Sequence, residues 1–210
     1  MITMSKVFLL ALLIAGCAPM AFAQSSADYN KLEFYGGYSH NRVDTGNGGS
    51  IIGDREGFNG FNTAVTGNLT RYVGLKFDLA GHFKQRSIPV GNGGGSIDIN
   101  SNLFNFLGGV QVKDNSKEGT FKPFAQALVG VARGRNRVNF NGIVCIAIFP
   151  SPCTNFTETD TGLAGAIGGG LDIKLNHRFD IRAIQVDYNP TRLFDGTQHN
   201  FRIGAGIVIH

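Results

Sequence analysis

The 210-residue chain has no tryptophan, only 16% charged residues, and no long apolar run beyond its N-terminus. Each shortage excludes something. A membrane-crossing helix needs roughly 20 uninterrupted apolar residues, so none is expected in the mature chain. The net charge of +4 is too small, and its Lys and Arg too scattered, for a nucleic-acid surface. The glycine-rich GNGGS (Gly46–Ser50) and GNGGGS (Gly91–Ser96) lack a following Gly-Lys-Ser/Thr. That excludes a phosphate loop and leaves flexible spacers. No helical period is present outside the first two dozen residues.

The N-terminus is different in kind. Lys6 precedes VFLLALLIAG, and Ala21-Phe22-Ala23 supplies a small-x-small cleavage site before Gln24. This reads as a secretory signal peptide over residues 1–23, leaving 24–210 as the mature domain. A second reading stays open: Ile14-Ala15-Gly16-Cys17 resembles a bacterial lipobox, which would make Cys17 a lipidated N-terminus. Either route exports the chain. Once Cys17 is removed, Cys145 and Cys153 remain, with no histidine near enough to favour a metal site. An even count in an exported chain predicts a disulfide closing a short loop.

What the mature chain does have is alternation. In YVGLKFDLAGHF (Tyr72–Phe83) every second residue from Val73 on is apolar or glycine. Period two means a strand with two different faces. Eight such segments are expected: Leu32–Asn41, Phe58–Asn68, Tyr72–Lys84, Asp98–Val112, Phe121–Arg133, Thr161–Leu175, Arg178–Tyr188 and His199–Ile209. Between them, DTGNGGSIIGDREG, KQRSIPVGNGGGS, GRNRVNFNGIVCIAIFPSPCTNFTE and NPTRLFDGTQ are long, whereas NLTRY and LNHR are tight and KDNSKEG is moderate. Long and short connections alternating in this way suit an outer-membrane barrel with short periplasmic turns and longer extracellular loops.

The composition of the two faces decides which one meets lipid. One reads Phe61, Val65, Leu75, Phe77, Val129, Leu163, Ile167, Ile203 and Ile207, almost without charge. The other carries Asn62, Ala64, Thr66, Gly74, Lys76, Asp78, Ala164, Gly168, Asp172, Arg202 and Gly204. Small residues punctuated by charges suit a narrow lumen that side chains fill. A Lys or Arg facing lipid near the midplane would cost about 2–4 kcal/mol. Lys76, Asp78, Arg182 and Asp187 are therefore expected to point inward, with Glu33, Gln126 and Gln185 as companions in a polar network that plugs the lumen. Arg182 and Asp187 cannot share a face on a regular strand, which predicts a bulge near Ala183–Ile184.

The segments EFYGGYSHNR, NLTRYVGLKFDLAG, FKPFAQALVGVARG, GGGLDIKLNHRFDIRAIQVDY and NFRIGAGIVI make the chain resemble the OmpA-like family of eight-stranded outer-membrane β-barrels. The resemblance spans the mature chain and implies an all-β, antiparallel, up-and-down transmembrane barrel with both termini in the periplasm. Two departures matter. The chain ends Val208-Ile209-His210 where such barrels usually end in an aromatic residue, and no peptidoglycan-binding domain follows. With tryptophan missing, the aromatic girdles fall to Tyr72, Phe121 and Phe179 near the turns and Phe83, Tyr188 and Phe201 near the loops.

Chemistry is sparse. His40, His82 and His199 fall near the outer ends of three strands, close to Asp44 or Asp195, and read as loop-edge residues before they read as a rim metal or acid–base site. Ser87 and His82 lie in one region without an acid partner, so neither an enzyme nor a cofactor is expected. The apolar run Ile143–Phe149 either packs within its own loop or contacts a partner. The expected function is a structural or surface-interaction role in the outer membrane, adhesion- or receptor-like. Its expected partners are outer-membrane lipid and an extracellular ligand held by the loops, with the chain monomeric. A narrow pore for ions or small solutes is the alternative, and a soluble lipocalin-like binding barrel the third reading.

Overall fold

The computed structural model describes residues 29–44, 55–90, 95–141, 154–194 and 196–210. Cys17, Ala23, Gln24, Cys145, Cys153 and the run Ile143–Phe149 lie outside the described residues, and with them the expected signal cleavage and disulfide.

Eight strands run β1 (Leu32–Asp44), β2 (Arg55–Asn68), β3 (Val73–Val90), β4 (Gly95–Lys113), β5 (Phe121–Asn141), β6 (Phe156–Lys174), β7 (Phe179–Leu193) and β8 (Gly196–Ile209). Each pairs antiparallel with its sequence neighbours, and β1 pairs β8, so the sheet closes without an edge. Closure matters physically, because hydrocarbon offers no partner for an unpaired backbone group. The outward face is apolar: Phe77 is 58% exposed and Val129 69% exposed, while Lys76 and Leu128 beside them are buried. The lumen is filled in two storeys. Val43, Phe58, Leu103, Leu107, Leu128 and Leu193 belong to one apolar cluster towards the long-loop end. The buried charges fill the remainder towards the short-turn end.

Several strands outrun the sequence reading. β3 continues to Val90, β4 begins at Gly95, β5 runs on to Asn141 and β6 starts at Phe156, with pairing unbroken from Val90↔Gly95 and from Val138↔Phe156. A tilted strand needs only about 9–11 residues to cross the membrane. The surplus stands beyond it as paired ribbon, where Ile88, Ile97, Val138 and Phe140 keep one face apolar but sit among Ser, Pro, Gly and Asn that read as loop. The last connection was also misread as long. Leu193 pairs with Gly196, so only residues 194 and 195 separate the paired ends, and Phe194 adopts a left-handed φ of 51°. A two-residue hairpin requires that conformation. The Phe194 amide donates to Asp160 Oδ2 at 2.5 Å and its ring packs on the apolar cluster, which offsets the strain.

At the opposite end side chains make the turns. Asn176 Oδ1 accepts from the amides of Arg178 and Phe179, and Thr70 Oγ1 from those of Tyr72 and Val73. Both are local side-chain turns that these residue types favour. Across the turns, Arg71 donates to both carboxylate oxygens of Asp114 at 2.9 and 3.0 Å. The hydrogen bonds from Arg71 hold the Asp114 carboxyl well below the usual carboxylate range and raise the guanidinium in return. This contribution is therefore present at neutral pH and is lost only when strong acid protonates Asp114. Replacing Arg71 by Gln should move the Asp114 titration midpoint up towards its ordinary value near ~3.9, as read by carboxyl NMR. An unmoved midpoint would show that Arg71 does not set it.

Candidate functional site: a charged barrel interior

Inward alternation on all eight strands brings distant polar residues into one column. Among the described residues the buried charges comprise five cations (Lys76, Lys113, Lys122, Arg182, Arg202) and five carboxylates (Glu33, Asp78, Asp172, Asp180, Asp187). With all ten ionised the interior is neutral. Arg202 on β8 is the central clasp. Its Nη1 donates to Asp78 Oδ1 at 2.7 Å on β3, and its Nε and Nη2 donate to Asp187 Oδ2 at 3.0 and 2.8 Å on β7. Asn62 completes Asp78 at 2.9 Å, and the amides of Gln126 and Gln185 each reach Asp187 at 2.7 Å. Nearer the turns, Arg182 grips both oxygens of Asp172, and Lys113 bridges Asp172 at 3.1 Å and Glu33 at 2.6 Å. Lys122 and His210 meet at Asp180, 3.0 and 2.9 Å away.

Aromatic rings complete this packing. The Arg182 guanidinium lies between Tyr35 and Phe124, 4.3 and 4.1 Å from their centroids. A desolvated cation held against two rings gains roughly 2 kcal/mol in such settings. Glycine on β6 makes room for the same groups: a Cβ on Gly168 would stand 2.3 Å from Asp187 Oδ1, and one on Gly170 2.8 Å from the Phe124 ring.

All seven residues that the sequence singled out (Glu33, Lys76, Asp78, Gln126, Arg182, Gln185 and Asp187) are buried in the lumen. The pairings differ from the simplest guess. Lys76 binds the neutral amides of Gln126 at 2.7 Å and Gln111 at 3.3 Å, and Arg182 pairs with Asp172 on β6. The register of β7 shifts between Arg182 and Gln185, leaving Ala183 and Ile184 both exposed on the lipid side. This bulge turns Arg182 and Asp187 to one face. Lys113, Lys122 and Asp180 were missed, although each continues the inward parity of its strand, and Asp172 and Arg202 were seen on the inner face without their partners.

The histidines do not converge. His82 points inward and lies 2.9 Å from Ser39 Oγ, His40 meets Asn59 at 2.8 Å, and His199 meets Tyr188 at 2.5 Å. Ser87 bonds Asp98 on the outer face, on the side of β3 away from His82, so these two are not brought together.

Solved structures of similar fold are outer-membrane barrels. Ail, the attachment invasion locus protein of Yersinia pestis, aligns with a TM-score of 0.56 and 18% identity in its complex with the heparin analogue sucrose octasulfate. The alignment covers 84% of this chain and 97% of that one. A second Ail structure aligns with a TM-score of 0.54 and 17% identity over the same shares. No curated protein sequence matches the chain. Residues 8–208 match the outer membrane protein beta-barrel domain, and the chain belongs to that family of outer-membrane barrels.

Proposed function

We propose that the protein is a monomeric, non-conducting outer-membrane barrel with a structural or surface-interaction role, its charged interior serving as a plug. The observation that carries this reading is the continuity of the filling: an apolar storey lies above a lattice in which Arg202 alone ties three strands together. Water or ions would have to break charge-assisted hydrogen bonds in a low-dielectric interior, where unpaired charges are strongly penalised. The described strands also rise beyond the membrane at β3–β4 and β5–β6, which supports display of an extracellular ligand surface. Sucrose octasulfate, which Ail holds in its complex, is a suitable first probe for such a ligand.

Planar-bilayer recording tests the plug. Wild-type protein and the Asp78→Asn variant should both stay at baseline current. Discrete steps in wild type that Asp78→Asn alters would replace this reading with a narrow ion pore. Export with cleavage between Ala23 and Gln24, and a Cys145–Cys153 disulfide, belong to the same proposal. The intact mass of the membrane-extracted protein, before and after reduction, tests both.

A further inference from the structure

One strand of the outer wall departs from the apolar pattern. Above Val129 and Val131, β5 presents Arg133, Arg135 and Arg137 outward, all exposed. The register gives their neighbours on that face: Phe104, Asn102 and Asn100 on β4, and Thr161, Thr159 and Thr157 on β6. Among the described residues no carboxylate pairs with the three guanidiniums. Glu158 and Asp160 belong to the other face of β6, and Asp98 is engaged by Ser87 and Asn141.

Aromatic rings fix the height of this ladder. Phe61, Phe83 and Phe104 contact one another across β2, β3 and β4, with centroids 6.4 and 5.6 Å apart. Such a belt marks the boundary between hydrocarbon and headgroups, and Phe104 is the register partner of Arg133. Successive arginines rise about 7 Å along the strand. Arg133, beside Phe104, and Arg135, one outward position above it, thus stand in the headgroup layer. Asn100, Asn102, Arg135 and Arg137 enclose a cleft of about 110 Å³.

We propose that Arg133, Arg135 and Arg137, with Asn100 and Asn102, form a site for the phosphate groups of anionic lipid headgroups. Guanidinium forks match phosphate geometry, and the flanking amides and hydroxyls add neutral hydrogen-bond partners without competing charge. The site rests on the membrane placement of this wall and is independent of whether the loops bind an extracellular ligand.

The test uses the full chain refolded into phosphatidylcholine vesicles, with spin-labelled phosphatidic acid or phosphatidylcholine as the probe of lipid next to the protein. Wild type should favour phosphatidic acid by at least about fivefold, the equivalent of one arginine near a charged surface. The triple variant R133Q/R135Q/R137Q should lose that preference while keeping its heat-dependent shift on SDS gels, and R133K/R135K/R137K should retain most of it. If the triple variant does not refold, Arg135→Gln alone should still lower the preference. An unchanged preference in the glutamine variants overturns the proposal. So does displacement of the wild-type preference by free inorganic phosphate. Loss of sucrose octasulfate binding with lipid preference intact would assign the ladder to a soluble glycan and also overturn it.

Discussion

Truncating Arg202 to Ala should destabilise the barrel by about 3–5 kcal/mol, the usual cost of removing one partner from a buried ion pair. The effect is that large because two carboxylates lose their partner at once. Asp78 keeps the amide of Asn62, and Asp187 keeps those of Gln126 and Gln185, but neither retains its close cation. The measurement is the urea concentration at which the heat-shifted band disappears from SDS gels. A shift below about 1 kcal/mol would mean that water reaches these carboxylates and that the plug is wetter than its packing implies. Two companions separate charge from shape. R202K should fall between wild type and R202A, since one ammonium cannot reproduce three bonds to two acids. Adding D78N and D187N to Arg202→Met should recover part of the loss, because no charge is then left unpaired.

The second large effect lies on the opposite face of the wall. Val129→Arg should cost about 2–4 kcal/mol, because the guanidinium would project into hydrocarbon near mid-depth. Val131→Arg, one outward position closer to the native Arg133, should cost less, since the penalty declines towards the interface. Equal costs at the two positions would mean that the membrane boundary does not follow the Phe61–Phe83–Phe104 belt. Refolding yield and unfolding midpoint in vesicles of one thickness read both variants.

The wall was largely legible in the sequence because lipid imposes a strict period of two. Leu75, Phe77 and Leu79 could face only outward once Lys76 and Asp78 had been assigned inward. Even the β7 bulge followed from parity, since Arg182 and Asp187 lie five positions apart, an odd offset. The partners inside were not legible. Lys113 finds Glu33 and Asp172 across the lumen, and such contacts depend on barrel diameter and stagger, which alternation does not encode. The extensions beyond the membrane were missed for a different reason. In Gln85–Val90 and Asn136–Asn141 the apolar Ile88, Val90, Val138 and Phe140 are interrupted by Ser87, Pro89, Asn139 and Asn141, so pairing persists where the composition reads as loop. The β7–β8 hairpin carried only a displaced signal, because Asp195-Gly196 lies one residue out of step with the loop of residues 194 and 195 and Gly196 already pairs with Leu193.

Most of the interior ion pairs join strands that are not neighbours: β1 with β4, β3 with β8, β4 with β6 and β5 with β7. A hairpin of this protein therefore carries charges that it cannot neutralise by itself. Glu33 waits for β4, and Asp78, on the third strand, waits for Arg202 on the last, 124 residues further on. Partly assembled sheets keep these groups hydrated and resist entering hydrocarbon, whereas the complete ring satisfies them together. The charges thus act as a checkpoint on assembly, coupling burial in the bilayer to the meeting of β1 and β8 and making a half-built barrel poorly suited to remain in the membrane.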